Sequence, residues 1–273
     1  NGNKMHVDVG RSSQPYTSLL LSSSELDVDC IITTKGDAVS RRHAALTIDL
    51  MQQSGAVLNL EDETTTIAPW TSNPPTEWIV PSDGSMMAFP ILACVLKKQS
   101  IFIENPVEKK DALGHEIVLD FLNHFGVEMN EQTLNYVGKE TSVEINLRDA
   151  NDLLPPLAAI LALSGGGRLV GASHAKHKES NRIESAAALL RSFGLQCKIE
   201  DDGLSIEGGQ SIMKPTTIVD TYGDHRIQMT ALLLASESGG TVEGPRLHQI
   251  ADPGFLERFS SVPTEVLVKG IQR

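Results

Sequence analysis

The sequence predicts an α/β protein made of about four repeated helix–strand–helix–hairpin units. Predicted helices end at Gly55, Gly126 and Gly194, each followed by an apolar residue, with a period of about 70 residues that is typical of repeat proteins. Glycine suits the left-handed conformation that follows the last helical residue. Aromatic residues make up only 4% of the chain, whereas hydrophobic residues make up 40%, so we expect a large aliphatic core.

Each unit is predicted to open with a polar loop, an apolar helix and a strand. The loops are rich in Ser, Asp or Asn, which favour the start of a helix. Pro155 and Pro156 fit the first turn of the third helix, where a missing N–H group is tolerated. The predicted loops are 12–14, 83–85, 151–152 and 223–225, the helices 17–22, 87–96, 153–163 and 227–235, and the strands 30–33, 101–103, 168–170 and 241–242.

The second half of each unit is predicted to be another helix, which ends at glycine, and then a β-hairpin. Each hairpin joins two short apolar runs across an acidic turn. The fourth unit is predicted to end after a helix at residues 255–259. The hairpin strands are predicted at 57–60 with 64–68, 127–129 with 134–137, and 196–199 with 204–206.

A polar stretch with two prolines, residues 70–77, is predicted to separate two lobes because it breaks both helix and strand periodicity. Residues 1–77 would then be the last unit of an incomplete lobe, residues 78–262 a second lobe of three units, and residues 263–273 a C-terminal tail. Three units can share one core. A single unit cannot bury its apolar face, so we expect the first unit to need partners that this chain does not contain.

The composition argues against several classes of partner and site. A formal net charge of −12 at pH 7 argues against nucleic acid as the main partner. Cys30, Cys94 and Cys197 form no CxxC pair, which argues against zinc and disulfides and favours the cytoplasm. The longest apolar runs, 88–96 and 153–163, are too short to span a bilayer and no signal peptide pattern is present, so we expect no membrane association.

Residues 174–182 form a basic segment directly before a predicted helix at 183–193. The N–H groups and the dipole at a helix N-terminus add positive potential, so cations at this place favour the binding of an anion. A solvated, lysine-rich loop explains the same residues equally well. The segment contains His174, Lys176, His177, Lys178, Glu179 and Arg182.

The polar loops before the apolar helices carry most of the reactive side chains. If the helix N-termini converge on one cleft, carboxylates, a lysine and arginines would suit proton transfer beside a bound phosphate or carboxylate. Structural roles are the alternatives, with Asp152, Ser12 and Ser13 as helix caps and His225 as a buried core histidine. The candidates are Ser12, Ser13, Gln14, Asp152, Lys178, Glu179, Arg182, Asp224, His225 and Arg226.

Five motifs, in order, resemble segments of one family. Residues 178–183 (Lys-Glu-Ser-Asn-Arg-Ile) and 221–226 (Thr-Tyr-Gly-Asp-His-Arg) are similar to two signatures of the 3-phosphoshikimate 1-carboxyvinyltransferases, also called 5-enolpyruvylshikimate-3-phosphate synthases. The other motifs are Ser-Ser-Gln at 12–14, the run from Lys35 to Ser40, and Asn-Asp-Leu-Leu-Pro at 151–155. The resemblance runs from about residue 7 to residue 259, which is nearly the whole chain.

The resemblance implies the enolpyruvyl transferase fold, in which βαβαββ-like units form inside-out lobes with helices inside and sheets outside. This chain would contain about four of the family's six units. The implied reaction, a step of aromatic amino-acid biosynthesis, moves the enolpyruvyl group of phosphoenolpyruvate to the 5-hydroxyl of shikimate 3-phosphate and releases phosphate. It proceeds by addition and elimination in an interlobe cleft, with no metal or organic cofactor.

The resemblance also implies roles for individual residues. Asp152 is implied to accept the proton of the 5-hydroxyl, Glu179 to act as acid and base at the methylene carbon of phosphoenolpyruvate, and Lys178 to touch the shikimate hydroxyl. The remaining positions are implied to bind the two anionic substrates. They are Ser12, Ser13, Gln14, Ser40, His174, Arg182, Asp224, His225, Arg226 and Arg258.

The sequence departs from the family pattern at three positions. His43 stands where the family commonly has Tyr, Asn181 replaces the usual Asp of the Lys-Glu-Ser-Asp-Arg signature, and Arg258 stands near an expected Lys. Arginine keeps the positive charge but is not equivalent to lysine in a tight site.

The family chain is about half again as long as this one, so we expect a C-terminal portion with little activity by itself. Two alternatives stay open. The first is enolpyruvyl transfer to a UDP-sugar, a family that lacks the motif combination found here. The second is a non-catalytic or partner subunit, which binds phosphorylated ligand only with a separate N-terminal half.

Overall fold

The computed structural model describes residues 3–259 and 267–268, and it divides the chain into two compact units, Asn1–Pro81 and Ser82–Arg273. Most of the predicted tail, residues 263–273, lies outside the described residues. Within the described part, no helix is both long enough and apolar enough to cross a membrane.

The first unit is one βαβαββ repeat. Its elements are β1 Lys4–Asp8, α1 Gln14–Ser22, β2 Cys30–Lys35, α2 Arg41–Gln53, β3 Leu58–Glu61 and β4 Thr64–Ile67. The four strands pair in the order β1-β2-β4-β3, with β1 parallel to β2 and the other pairs antiparallel. Both helices add side chains to a small aliphatic core that contains Val7, Leu20, Ile32, Met51 and Ile67.

The second unit continues the same alternation of helices and short strands. Its first half contains α3 Ala88–Lys97, β5 Ile101–Phe102, α4 Ile117–Asp120, β6 Val127–Asn130, β7 Thr133–Tyr136, β8 Val143–Asn146, α5 Leu154–Leu163 and β9 Gly167–Val170. Its second half contains α6 Arg182–Ser192, β10 Cys197–Glu200, β11 Gly203–Ile206, α7 His225–Ser238, β12 Thr241–Val242, α8 Phe255–Phe259 and β13 Leu267–Val268.

Three helices form the centre of the second unit, and its sheets lie outside them. The helices α3, α5 and α7 contact one another pairwise, and α5 buries nine of its ten residues. A helix that is apolar on every side is stable only when other elements surround it. The described strands pair as β5-β7-β6, β10-β11-β9-β8 and β12-β13. This arrangement confirms the predicted α/β repeat fold.

The three glycines that defined the repeat all have positive φ, at 102° for Gly55, 72° for Gly126 and 77° for Gly194. Each follows a helical segment, as expected for the residue after a helix end. This part of the prediction depends only on local backbone geometry.

Two features differ from the individual predictions. The strands β1 and β8 were not predicted. Each is the parallel partner of a predicted strand, since β1 pairs with β2 and β8 pairs with β9. They alternate buried and exposed residues over only four or five positions, which is a weak signal. The helix before Gly126 is also interrupted, because α4 spans four residues and a 3-10 turn, Leu122–Phe125, completes the segment.

Candidate active site

Arg182 begins α6 and is the charged residue around which the candidate site is built. Its side chain is only 1% exposed, so each of its nitrogens needs a partner. Nε donates to Asp224 Oδ2 at 2.9 Å, Nη2 donates to Glu179 Oε2 at 2.7 Å, and Nη1 donates to Asp152 Oδ1 and to Asn151 Oδ1. The basic segment therefore does not end as a solvated loop, because Arg182 turns inward.

Asp224 links two helix starts. It is the N-cap of α7, where its Oδ1 accepts from the Arg226 N–H group at 2.9 Å. Its Oδ2 accepts from Arg182 and from the Ser180 hydroxyl at 3.0 Å. Because this carboxylate is fully buried, it is held by hydrogen bonds on both oxygens.

Arg226 is the second buried guanidinium of the site. Its Nη2 donates to Ser85 Oγ at 2.7 Å and to Asp152 Oδ2 at 3.3 Å, and it lies 4.0 Å from Asp83 Oδ2. Its Nε is buried without a hydrogen-bond partner in the described structure. We refer to Asp83, Asp152, Glu179, Asp224, Arg182 and Arg226 as the Arg182 cluster.

Ser85 and Asp83 were not among the predicted site residues. Asp83 Oδ1 accepts from both the backbone N–H and the hydroxyl of Ser85, at 2.8 and 2.7 Å, so the serine is fixed before it meets Arg226. The loop 83–85 was recognised as a helix start, and its place at the same step of the repeat as Asp152 and Asp224 was the available signal. Asn151 and Ser180 are further contacts that were missed.

Burial and neighbouring charges have opposing effects on the pKa of the Asp152 carboxyl group. Burial is the largest of them and raises its pKa, but the charges of Arg182 and Arg226 together outweigh burial and hold the pKa well below the usual range. The charge of His115 acts in the same direction. Asp152 is thus ionised at neutral pH while both arginines are directed at it. His115 is another buried residue that was missed.

Two predicted histidines are buried beside the cluster. Burial and the nearby Lys178 lower the pKa of His174 to about 4, and its Nε2 is buried without a partner in the described structure. Burial and the charge of Arg226 lower the pKa of His225, whose Nδ1 lies 4.0 Å from Asp224 Oδ1. His174 is therefore neutral at pH 7 and can donate or accept a hydrogen bond without carrying charge.

Lys178 and Arg258 are less buried than the two histidines. Lys178 directly follows the 3-10 turn Ser173–His177 and is partly buried. The Arg258 side chain is 66% exposed and pairs with Asp252. Arg258 and Asp83 line one groove of about 390 Å³, together with Met86 and Phe255, so Arg258 borders the cluster through this groove.

The predicted residues of the first unit lie at its two helix starts. Ser13 is buried at the N-cap of α1, and Ser12 Oγ accepts from the Gln14 N–H group at 3.2 Å. Gln14 is the first residue of the helix and is exposed. Ser40 precedes α2 in a left-handed conformation with φ of 51° and is also buried. Neither Ser13 nor Ser40 caps its own helix through its side chain.

The cluster of the second unit can bind anions and transfer protons. It combines two guanidiniums, which pair with carboxylate or phosphate through two hydrogen bonds, with carboxylates that can accept or return a proton. Within residues 3–259 and 267–268, no three His, Cys, Asp or Glu side chains are grouped so that they could hold a metal ion.

The sequence of the chain is similar to that of one known family. The family model described as EPSP synthase (3-phosphoshikimate 1-carboxyvinyltransferase) matches residues 1–259. The 3-phosphoshikimate 1-carboxyvinyltransferase of Korarchaeum cryptofilum is 30% identical over 270 residues, which cover 94% of this chain and 61% of the relative. That of Methanothermobacter thermautotrophicus is 28% identical over 258 residues, with coverages of 93% and 60%. The chain thus spans about three-fifths of the length of these relatives.

Solved structures support the fold. The EPSP synthase of Acinetobacter baumannii superposes with a TM-score of 0.71 at 18% identity, over 95% of this chain and 62% of that one. The enolpyruvyl transferase NikO from Streptomyces tendae gives a TM-score of 0.70 at 16% identity, over 96% and 64%. At this level of identity the similarity shows a shared fold.

Proposed function

This chain belongs to the EPSP synthase family, and we propose that it acts in the transfer of the enolpyruvyl group of phosphoenolpyruvate to the 5-hydroxyl of shikimate 3-phosphate. Phosphate is the second product. The observation that carries the proposal is the Arg182 cluster, in which two buried arginines meet Asp152 and Glu179 at the starts of neighbouring helices. Arg182, Glu179 and Arg226 belong to the two motifs that resemble the family signatures, and Asp152 belongs to the motif at 151–155.

The arginines are proposed to bind phosphoenolpyruvate. Arg182 and Arg226 each present several N–H donors in a plane, and a carboxylate or phosphate can accept two of them at once. Both side chains are buried, which strengthens the attraction for an anion compared with the surface. Ser85 holds Nη2 of Arg226 and thereby fixes the direction of that guanidinium.

Asp152 is proposed to be the base for the 5-hydroxyl. In the structure its pKa is low because Arg182 and Arg226 are directed at it. When a bound substrate neutralises these two arginines, the carboxylate loses most of that stabilisation and becomes more basic. Substrate binding would therefore prepare Asp152 to accept a proton.

Glu179 is proposed to exchange the second proton. In the addition step Asp152 takes the hydroxyl proton, the oxygen attacks C2 of phosphoenolpyruvate, and protonated Glu179 gives its proton to the methylene carbon. In the elimination step the Glu179 carboxylate removes a proton from the new methyl group, the C2–O bond to phosphate breaks, and Asp152 returns its proton to the departing phosphate. Both residues end in their starting states.

The other predicted residues are proposed to bind substrate. The neutral, buried His174 suits a hydroxyl group, and the partly buried Lys178 lies near it. The buried His225 lies beside Asp224 of the cluster. For the first unit, Ser12, Ser13, Gln14 and Ser40 are proposed to bind phosphate oxygens through hydroxyl, amide and backbone donors at helix starts. Arg258 is proposed as a further cation for phosphoenolpyruvate, which requires that it leave Asp252.

We also propose a cytoplasmic location, which the three free cysteines support. A second candidate function is a subunit that binds phosphorylated ligand only together with a separate chain. The observation that favours it is that the chain spans about three-fifths of the length of its relatives.

Phosphate release from phosphoenolpyruvate and shikimate 3-phosphate tests the proposal, with the enolpyruvyl product identified by mass spectrometry. The chain should be assayed alone and with the N-terminal two-fifths of the Korarchaeum cryptofilum relative. Product formation in either mixture supports enolpyruvyl transfer, and formation only with the added portion supports the divided arrangement. Ligand binding without product, found only when the added portion is present, would favour the non-catalytic subunit, and neither binding nor product would refute both.

A further inference from the structure

Every nitrogen of the Arg182 side chain already has a carboxylate partner. Nε is held by Asp224, Nη1 by Asp152 and Nη2 by Glu179. Nη1 also donates to Asn151, so four of the five N–H groups of Arg182 have described partners and one, on Nη2, has no described partner. An anion that approaches this N–H group must lie directly beside the Glu179 carboxylate, and it can take both N–H groups of Nη2 only if Glu179 leaves.

The three partners differ in how readily they can move. Asp224 is fully buried and also caps α7, so its release would leave an unpaired charge in the interior. Asp152 is held by Arg182 and Arg226 together. The Glu179 side chain is 47% exposed and lies in the turn before α6, so a rotation of its side chain can return it to water.

The net charge of the Arg182 cluster also opposes the binding of an anion. Four carboxylates surround two guanidiniums, and the lowered pKa of His225 leaves that residue neutral at pH 7. The cluster thus carries more negative than positive charge in the ligand-free protein. The departure of Glu179 leaves three carboxylates against two guanidiniums, which reduces the negative excess and weakens the repulsion of a further anion.

We propose that Glu179 occupies the position on Arg182 that an anionic group of the substrate must take, and so competes with substrate binding. The inference rests on the proposed function and adds a second role for the same residue. When the ligand takes Nη2 of Arg182, the carboxylate of Glu179 is released beside it. The step that binds the substrate therefore also frees the Glu179 carboxylate, which must take up a proton from solvent before it can donate one in the addition step.

The proposal predicts opposite effects of one substitution on binding and on turnover. Glu179→Gln keeps the size of the side chain and removes its charge, so phosphoenolpyruvate and inorganic phosphate should each bind about threefold to tenfold more tightly, as expected for the loss of a partly exposed ion pair as competitor. If the chain turns over, the same variant should lose most of its kcat while its KM for phosphoenolpyruvate falls. A residue with only a structural role would not produce this split.

Isothermal titration calorimetry with phosphoenolpyruvate and with inorganic phosphate measures the binding effect on the full chain. Glu184→Gln is the matched control, because Glu184 lies exposed in the first turn of the same helix. It should leave both affinities within about twofold of the unchanged chain. A thermal unfolding curve verifies that each variant is folded.

The proposal is overturned if the Glu179→Gln variant binds both anions no more tightly than the unchanged chain, or binds neither. Removing the competing charge would then have failed to make Arg182 available to an anion. That result leaves enolpyruvyl transfer by the unchanged chain untouched. Conversely, tighter phosphate binding by the variant without product from any mixture would support the competition and refute the proposed reaction. The two failures are therefore distinguishable.

Discussion

The Arg182 side chain donates through Nε to Asp224 Oδ2 over 2.9 Å, and the two side chains are 1% and 0% exposed. This buried ion pair joins the first residue of α6 to the N-cap of α7. The same guanidinium reaches Asp152 and Glu179, so the pair fixes the orientation of the whole cluster. Loss of either partner should affect stability as well as binding.

Asp224→Ala should lower the free energy of unfolding by about 3–5 kcal/mol, because it leaves the Arg182 charge buried with fewer partners and removes the cap of α7. Urea unfolding followed by circular dichroism measures this loss. Asp120→Ala is the control, since it breaks the exposed pair with Lys109 and should cost at most about 1 kcal/mol. Equal losses in the two variants would contradict the prediction.

Stability should fall with acidity partly because of His174. Its pKa is lowered from 6.5 to about 4 in the folded protein, so between these values the unfolded chain binds a proton that the folded chain does not. The free energy of unfolding should therefore be unaffected by this residue above pH 6.5 and decrease as pH falls toward 4, by up to about 1.4 kcal/mol per pH unit.

His174→Gln tests this dependence, because glutamine can form hydrogen bonds but does not titrate. The unfolding free energies of the variant and the unchanged chain should be measured by urea unfolding between pH 7 and pH 4. The curve of the variant should be flatter in that range. Parallel curves would mean that His174 titrates normally.

Asp152→Asn should reduce turnover about 100-fold to 10,000-fold, as expected for the loss of a general base. Affinity for phosphoenolpyruvate should not weaken, because Asp152 is directed at the same two arginines and repels an anion. Steady-state kinetics and calorimetry on the active preparation measure the two quantities. Turnover within tenfold of the unchanged protein would exclude Asp152 as the base.

Ser85→Ala should weaken phosphoenolpyruvate binding about tenfold, because the variant removes a hydrogen bond that orients the charged Arg226 side chain. Calorimetry measures the affinity. Ser82→Ala is a matched control, since the Ser82 hydroxyl donates to the Asn105 carbonyl and makes no described contact with Arg226. An unchanged affinity in Ser85→Ala would show that the remaining contacts of Arg226, with Asp152, Asp83 and Met86, suffice to orient this arginine.

The repeat and its helix starts were predictable from sequence because they depend on neighbouring residues. Gly126 and Gly194 adopt the expected positive φ, and the apolar run of α5 becomes a central helix. The short strands β1 and β8 were missed because four or five residues give too few alternations. The interrupted helix before Gly126 was missed for a related reason, since the interruption is not visible in a run of mainly apolar residues.

The sequence by itself determined the α/β repeat, the residue types at each helix start and the motifs that carry the family resemblance. Only the tertiary structure decided which of these residues meet. Arg226 contacts Ser85, which lies 141 positions earlier in the chain, and Arg182 is buried among three carboxylates. Such contacts depend on how α3, α5 and α7 pack against one another, and local sequence patterns carry no information about distances between helices.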